Sequence, residues 1–255
     1  MPLLNFISDE DLYHHVEQTV QKYRFKIDLK TLNKNLIDPI KLTFDSGIYQ
    51  RAFDNSALET ILASEVWRQM DKSNTNHIGY FHQNIFQYIG KAKGWTVPQQ
   101  GFDIENKKKH IFVEMKNKHN TMNSSSAAKT YMRMQNKLLQ DEQATCYLVE
   151  IIAKHSQNIE WVCSVDKQSL KHSRIRRISI DQFYALVTSN KNAFAQLCQI
   201  LPQVIKNVVA KQEQQLIENT VIDDLKRQEV NSILESLYLL AFRHYQGFKD
   251  FKLNV

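Results

Sequence analysis

The stretch Phe102-Asp103-Ile104-Glu105-Asn106-Lys107-Lys108-Lys109-His110-Ile111-Phe112-Val113-Glu114-Met115-Lys116 decides the fold. Apolar and polar side chains alternate on either side of a polar turn, Asn106 to Lys109. The arms Phe102 to Glu105 and His110 to Lys116 therefore read as an antiparallel hairpin. A period of two puts Glu114 and Lys116 on one face and turns Met115 away. A hairpin partner can bring Asp103 beside Glu114. Two converging carboxylates, joined by the Met115 backbone carbonyl, make an oxygen-rich corner suited to Mg2+. Magnesium there would clamp a scissile phosphate and activate water, while Lys116 would position the nucleophile and neutralise developing charge. The other Glu-x-Lys, Glu105-Asn106-Lys107, runs into the turn without an acid upstream on a paired strand and reads as chance.

Working outward, the hairpin is followed by a loop from Lys118 to Ser126 that is dense in hydrogen-bonding side chains. Its Lys118, His119, Asn120, Asn123, Ser124 and Ser125 suit contact with DNA, including base edges in a groove. Ser124 to Ser126 offer N-caps to a helix ending near Gln140. Its apolar face is Ala127, Ala128, Tyr131, Met134 and Leu138, and its polar face carries Lys129, Arg133, Asn136 and Gln140. Lys129 and Arg133 are expected to touch DNA. Thr145 to Ala153 and Glu160 to Val165 read as buried strands. Upstream, helical periods run from Ser56 to Met70 and Gly79 to Lys93, separated by a polar break at Asp71 to Asn76. Gly94 is a C-cap candidate, and Trp95 to Val97 a short strand. The last third reads as helices over Asp181 to Thr188, Ala193 to Gln212 and Asn219 to Tyr245. A basic cluster of Lys171, His172, Arg174, Arg176 and Arg177 precedes them and suits a phosphate clamp. This order predicts an α/β (α+β) chain with a mixed central sheet flanked by helices.

Composition narrows the classes. The 255 residues carry 33 Lys and Arg against 27 acids, a formal charge of +6 that permits a polyanionic partner. A hydrophobic content of 42% excludes disorder as the default, and 6 Gly with 4 Pro exclude collagen-like or turn-rich designs. Three scattered cysteines without a C-x-x-C, and no membrane-length apolar run, predict a cytoplasmic protein without a membrane partner. No phosphate-binding glycine loop occurs, and no histidine pair has the spacing of a helical zinc site. Gly47-Ile48-Tyr49 and Tyr88-Ile89-Gly90 lie too far apart for a GIY-YIG nuclease.

Asp103 followed by Glu114-x-Lys116 on a hairpin resembles the PD-(D/E)XK nuclease core, with Phe102 where that motif has proline. The longer strings Gly79-Tyr-Phe-His-Gln-Asn-Ile-Phe86, Phe102-Asp103-Ile104 and Val113 to Ser126 resemble a narrower group, the type II restriction endonucleases cutting GGNCC or GGWCC. The resemblance implies a restriction-endonuclease-like fold with helical N- and C-terminal additions. It implies Asp103 and Glu114 as metal ligands, Lys116 as the catalytic lysine and magnesium as cofactor. The family core often adds an acid from the helix before the first strand. Here that helix presents Gln83, and Glu65, one helix earlier, is the candidate supporting ligand. Residues 1–75 are expected to form an N-terminal helical region, 76–165 the nuclease core, and 166–255 a helical region for recognition or dimerisation, all in one compact domain. The function implied is magnesium-dependent hydrolysis of double-stranded DNA at a GC-rich palindrome by a homodimer, with a cognate DNA methyltransferase as functional partner. Two alternatives are a structure-specific repair or recombination nuclease on the same core, and a non-catalytic helical DNA-binding protein.

Overall fold

The computed structural model describes residues 2–33, 37–51, 55–119, 122–212, 218–227, 232–248 and 251–253. In chain order come α1 (Asp9–Lys22), β1 (Lys26–Ile27), α2 (Pro39–Asp45), α3 (Asn55–Asn84) and α4 (Phe86–Ile89). The strands β2 (Ile104–Asn106) and β3 (Ile111–Lys118) precede α5 (Ser124–Gln140) and β4 (Thr145–Ile152). Then follow β5 (Asn158–Glu160), β6 (Cys163–Val165), β7 (Gln168–Leu170), β8 (Ile175–Ser179), α6 (Ile180–Thr188) and α7 (Ala193–Val209). Last come β9 (Glu218–Asn219), α8 (Val221–Lys226) and α9 (Ile233–Phe242). Among the described residues no helix is long and apolar enough to cross a membrane.

The chain divides into two compact units, Met1–Gln21 with His77–Gln212, and Lys22–Asn76 with Glu213–Val255. The first holds a mixed five-stranded sheet of order β2-β3-β4-β8-β5. Strands β3, β4 and β8 run parallel, with β2 and β5 antiparallel at the edges. This is the mixed sheet flanked by helices that the sequence predicts. One face bears Val113, Met115, Tyr147, Val149 and Ile178, packed with side chains of α1, α4, α6, α7 and the end of α3. The other packs Phe112, Cys146, Leu148 and Ile175 against Tyr131, Met134 and Leu138 of α5. The second unit buries Leu62, Val66 and Met70 of α3 with Leu42, Val221, Leu225, Ile233 and Leu237. There β1 pairs parallel with β9.

Several local expectations need correction. The polar stretch Asp71 to Asn76 does not break the helix, and α3 is continuous. The stretch lacks Gly and Pro, and it serves as exposed or half-buried helix surface, with Asn74 Oδ1 accepting from the Arg24 N–H at 2.9 Å. The expected helix from Asn219 to Tyr245 begins as a strand residue and resumes as α8 and α9, the latter capped by Ser232 accepting from Glu235 N–H. Strand β8 lies hidden inside the basic cluster, because Arg174, Arg176 and Arg177 mask an otherwise strand-like run. The cap of α5 is Asn123, whose Oδ1 accepts from Ser126 N–H at 2.8 Å, rather than a serine.

Candidate active site

The hairpin alternation delivers two carboxylates to one place. In the β2–β3 ladder Ile104 faces Val113, which sets Asp103 across from Glu114. The Asp103 N–H donates to the Val113 carbonyl at 2.9 Å, and the Met115 N–H donates to Asp103 Oδ2 at 2.7 Å. Gln83, near the end of α3, donates from Nε2 to the Asp103 carbonyl at 3.2 Å. Asp103 is thus fixed through both its main chain and its carboxylate. Burial and the neighbouring Glu114 charge hold its carboxyl above the usual range, only partly offset by the Met115 N–H, Lys116 and Arg133.

Glu114 is 8% exposed, and both of its oxygens are engaged. Oε1 accepts from Lys116 Nζ at 2.8 Å, and Oε2 pairs with the Arg133 guanidinium reaching down from α5. Arg133 also donates to the Gly101 carbonyl at 3.3 Å, and its guanidinium lies 4.9 Å from the Phe102 ring centre. A buried carboxylate between two cations is the arrangement that low dielectric demands. Arg133, expected as a DNA contact, therefore touches the acidic corner itself.

One row further along the sheet, Lys116 is the register partner of Glu150 on β4, and Glu150 that of Ser179 on β8. Glu150 is 1% exposed and accepts from Arg177 Nε at 2.8 Å. Arg177 reaches on to the His119 carbonyl at 3.2 Å. Sequence reading misses Glu150, although a signal exists: it is the lone charge in the run Thr145 to Ile152.

The remaining expected site residues fall into three groups. Ser124, Ser125 and Lys129 are exposed on the first turns of α5, and Lys118 is exposed at the end of β3. His119 is tied inward, its N–H donating to the Ile152 carbonyl at 3.1 Å, and Asn123 caps α5. Asn120 lies outside the described residues. In the basic cluster, Arg174 donates to the Glu142 and Ala144 carbonyls, and Arg176 holds Asn158 through its side chain at 2.7 Å. These two arginines, with Arg177, hold strand ends and the β5–β8 edge together. Glu65 belongs to the second unit, where its carboxylate accepts from Arg68 at 2.6 Å and from Gln69 at 3.3 Å.

Among the described residues no three His, Cys, Asp or Glu side chains converge on a metal position. Asp103 and Glu114 are the two carboxylates that could share a cation at this corner. That pair fits magnesium, which keeps several waters and takes one or two carboxylates together with substrate phosphate. The raised Asp103 carboxyl points the same way, since a cation between Asp103 and Glu114 relieves their repulsion.

Comparison with known proteins gives the family of the chain. A family model described as Eco47II restriction endonuclease matches residues 4–210. The type II restriction enzyme Sau96I of Staphylococcus aureus is 36% identical over 212 residues, covering 78% of each chain. The type II restriction enzyme Eco47II of Escherichia coli is 30% identical over 224 residues, covering 83% of this chain and 90% of its own.

Proposed function

The chain belongs to the Eco47II restriction endonuclease family and is a type II restriction endonuclease acting on DNA, and from that premise we propose how it cuts. Asp103, Glu114 and the Met115 carbonyl would hold magnesium, and Lys116 is the catalytic lysine. The observation that carries this reading is the meeting of Asp103 and Glu114 across the hairpin, with Lys116 on the Glu114 carboxylate at 2.8 Å. Bound there, magnesium would supply Lewis acidity toward a phosphoryl oxygen and lower the pKa of an attacking water. The Lys116 ammonium, with a side chain 31% exposed, orients that water and offsets negative charge growing on the phosphorus oxygens.

The enzyme acts as a homodimer, because a two-fold protein reads a palindrome naturally, each subunit contacting one half-site and cutting one strand. The site is a short GC-rich palindrome of the GGNCC kind. Lys118, Ser124, Ser125 and Lys129 approach the DNA from the end of β3 and the start of α5, where all four are exposed. Arg133, once freed from Glu114, reaches the phosphate backbone. Such an enzyme works in the cytoplasm beside a methyltransferase that protects the host's own sites.

The test is plasmid digestion with and without magnesium, followed by sequencing of the fragment ends. Discrete fragments with one GC-rich end sequence, seen only with magnesium, are expected. Nicking at branched or mismatched positions would favour a structure-specific nuclease instead.

A further inference from the structure

We propose that Glu150 is a positioning residue for Lys116, the acceptor that keeps the ammonium in place when Glu114 turns to a metal ion. This inference rests on Asp103, Glu114 and Lys116 being the reacting centre. Lys116 and Glu150 are register partners on adjacent parallel strands, so their side chains leave the same face side by side. Glu150 is 1% exposed in an otherwise apolar strand, and a carboxylate buried so completely needs compensation at both oxygens. Arg177 supplies only half of it. Both of its donors go to Oε1, at 2.8 and 2.5 Å. Oε2 is buried without a hydrogen-bond partner among the described residues. The neighbour on the other side does not fill the gap, because Ser179 Oγ donates to Asp181 and accepts from the Gln157 N–H.

A carboxylate oxygen left open beside a lysine that is held elsewhere has a chemical use. In the structure Lys116 bonds Glu114. Were Glu114 to take part in holding a divalent cation with Asp103, its carboxylate would be a weaker partner for Lys116. Lys116 would then need a second anion within reach to stay at the phosphate rather than swing to solvent, and Glu150 is the neighbour in register. Arg177, which also holds the His119 carbonyl, fixes Glu150 against the end of β3.

The experiment uses the full chain carrying Glu150→Gln, which keeps the shape and the Arg177 hydrogen bond but loses the charge. Single-turnover cleavage in magnesium should slow about tenfold or more, as expected for a mispositioned catalytic group. The Kd for a cognate duplex in calcium should stay within about twofold, and Tm should hold. Arg177→Met should instead weaken DNA binding, by releasing the His119 end of the loop. Cleavage at the wild-type rate in Glu150→Gln would overturn the proposal, as would a loss explained wholly by Kd. Should Glu150→Gln not fold, the Lys116 ammonium of the wild-type protein can be followed by nitrogen-edited NMR during calcium saturation. A protected signal at saturation supports the handover, and its loss to solvent exchange overturns it. Asp103→Asn run in parallel separates the two ideas. If Asp103→Asn cleaves normally, the centre itself is misassigned; if it is inert while Glu150→Gln is fully active, only the role of Glu150 fails.

Discussion

The two faces of the central sheet come from alternate residues of the same three strands. On one, Val113 and Met115, Tyr147 and Val149, and Ile178 lie under helices and form a dry core. On the other, Phe112, Cys146, Leu148 and Ile175 are just as buried, and the residues that continue this face toward the strand ends are charged. Glu114 and Lys116 on β3, Glu150 on β4 and Arg177 on β8 follow, each paired with an opposite charge. A shift of one position along the strand thus separates a packing position from a charged one. The charged end is the carboxyl end of the parallel strands, where open α/β sheets place their ligands.

Substitutions on the two faces should therefore fail in different ways. The largest effect is expected from Lys116→Met, which should slow single-turnover cleavage on the order of 10³-fold while sparing DNA affinity. A residue on the dry face, Ile178→Val, should leave the rate alone and cost about 0.5–1.5 kcal/mol of stability. If both variants lose rate equally, the division between the faces is wrong.

The end of α3 predicts a pH effect as well. Burial, reinforced by His15, lowers the His82 pKa to about 4 from 6.5. The unfolded chain takes that proton near pH 6.5, whereas the folded chain resists it. Stability from neutral His82 is then complete above pH 6.5 and is lost as pH falls toward 4, about 3 kcal/mol in all. Urea melts of wild type and His82→Phe across that window check this, and the variant should show a flatter profile.

Gly90→Ala comes next. A Cβ there would sit 2.5 Å from Trp95 Cβ, and Trp95 is only 2% exposed, so neither atom can yield readily. A loss of about 1–3 kcal/mol is expected by thermal or chemical denaturation. The smallest effect belongs to Asn123. Asn123→Ala should cost about 1 kcal/mol through the lost cap of α5, and Asn123→Asp should restore that stability. Any change in base discrimination that persists in Asn123→Asp then reports a contact with DNA rather than the cap.

How far the sequence can be read follows from how local each signal is. The β2–β3 hairpin and α5 carry their own periods, so the acidic corner and Lys116 are legible in the sequence alone. Glu114 with Arg133 is not, because the pair spans two elements that only the fold brings together. Strand β8 is obscured for a related reason. Arg176 and Arg177 look like a solvated cluster until Arg177 is seen to be neutralised by Glu150 from the next strand. The polar stretch in α3 misleads because polarity without Gly or Pro marks a helix surface as readily as a loop.

The central claim is that Asp103 and Glu114 together form the metal-binding corner of a DNA-cutting centre. Asp103→Asn tests it most directly, because amide for carboxylate keeps the shape and the Met115 hydrogen bond can still be accepted. Cleavage of a cognate duplex in magnesium should be undetectable, calorimetric magnesium binding in the presence of that duplex should be lost, and DNA affinity should remain near wild type. Wild-type cleavage and magnesium binding by Asp103→Asn would contradict the claim.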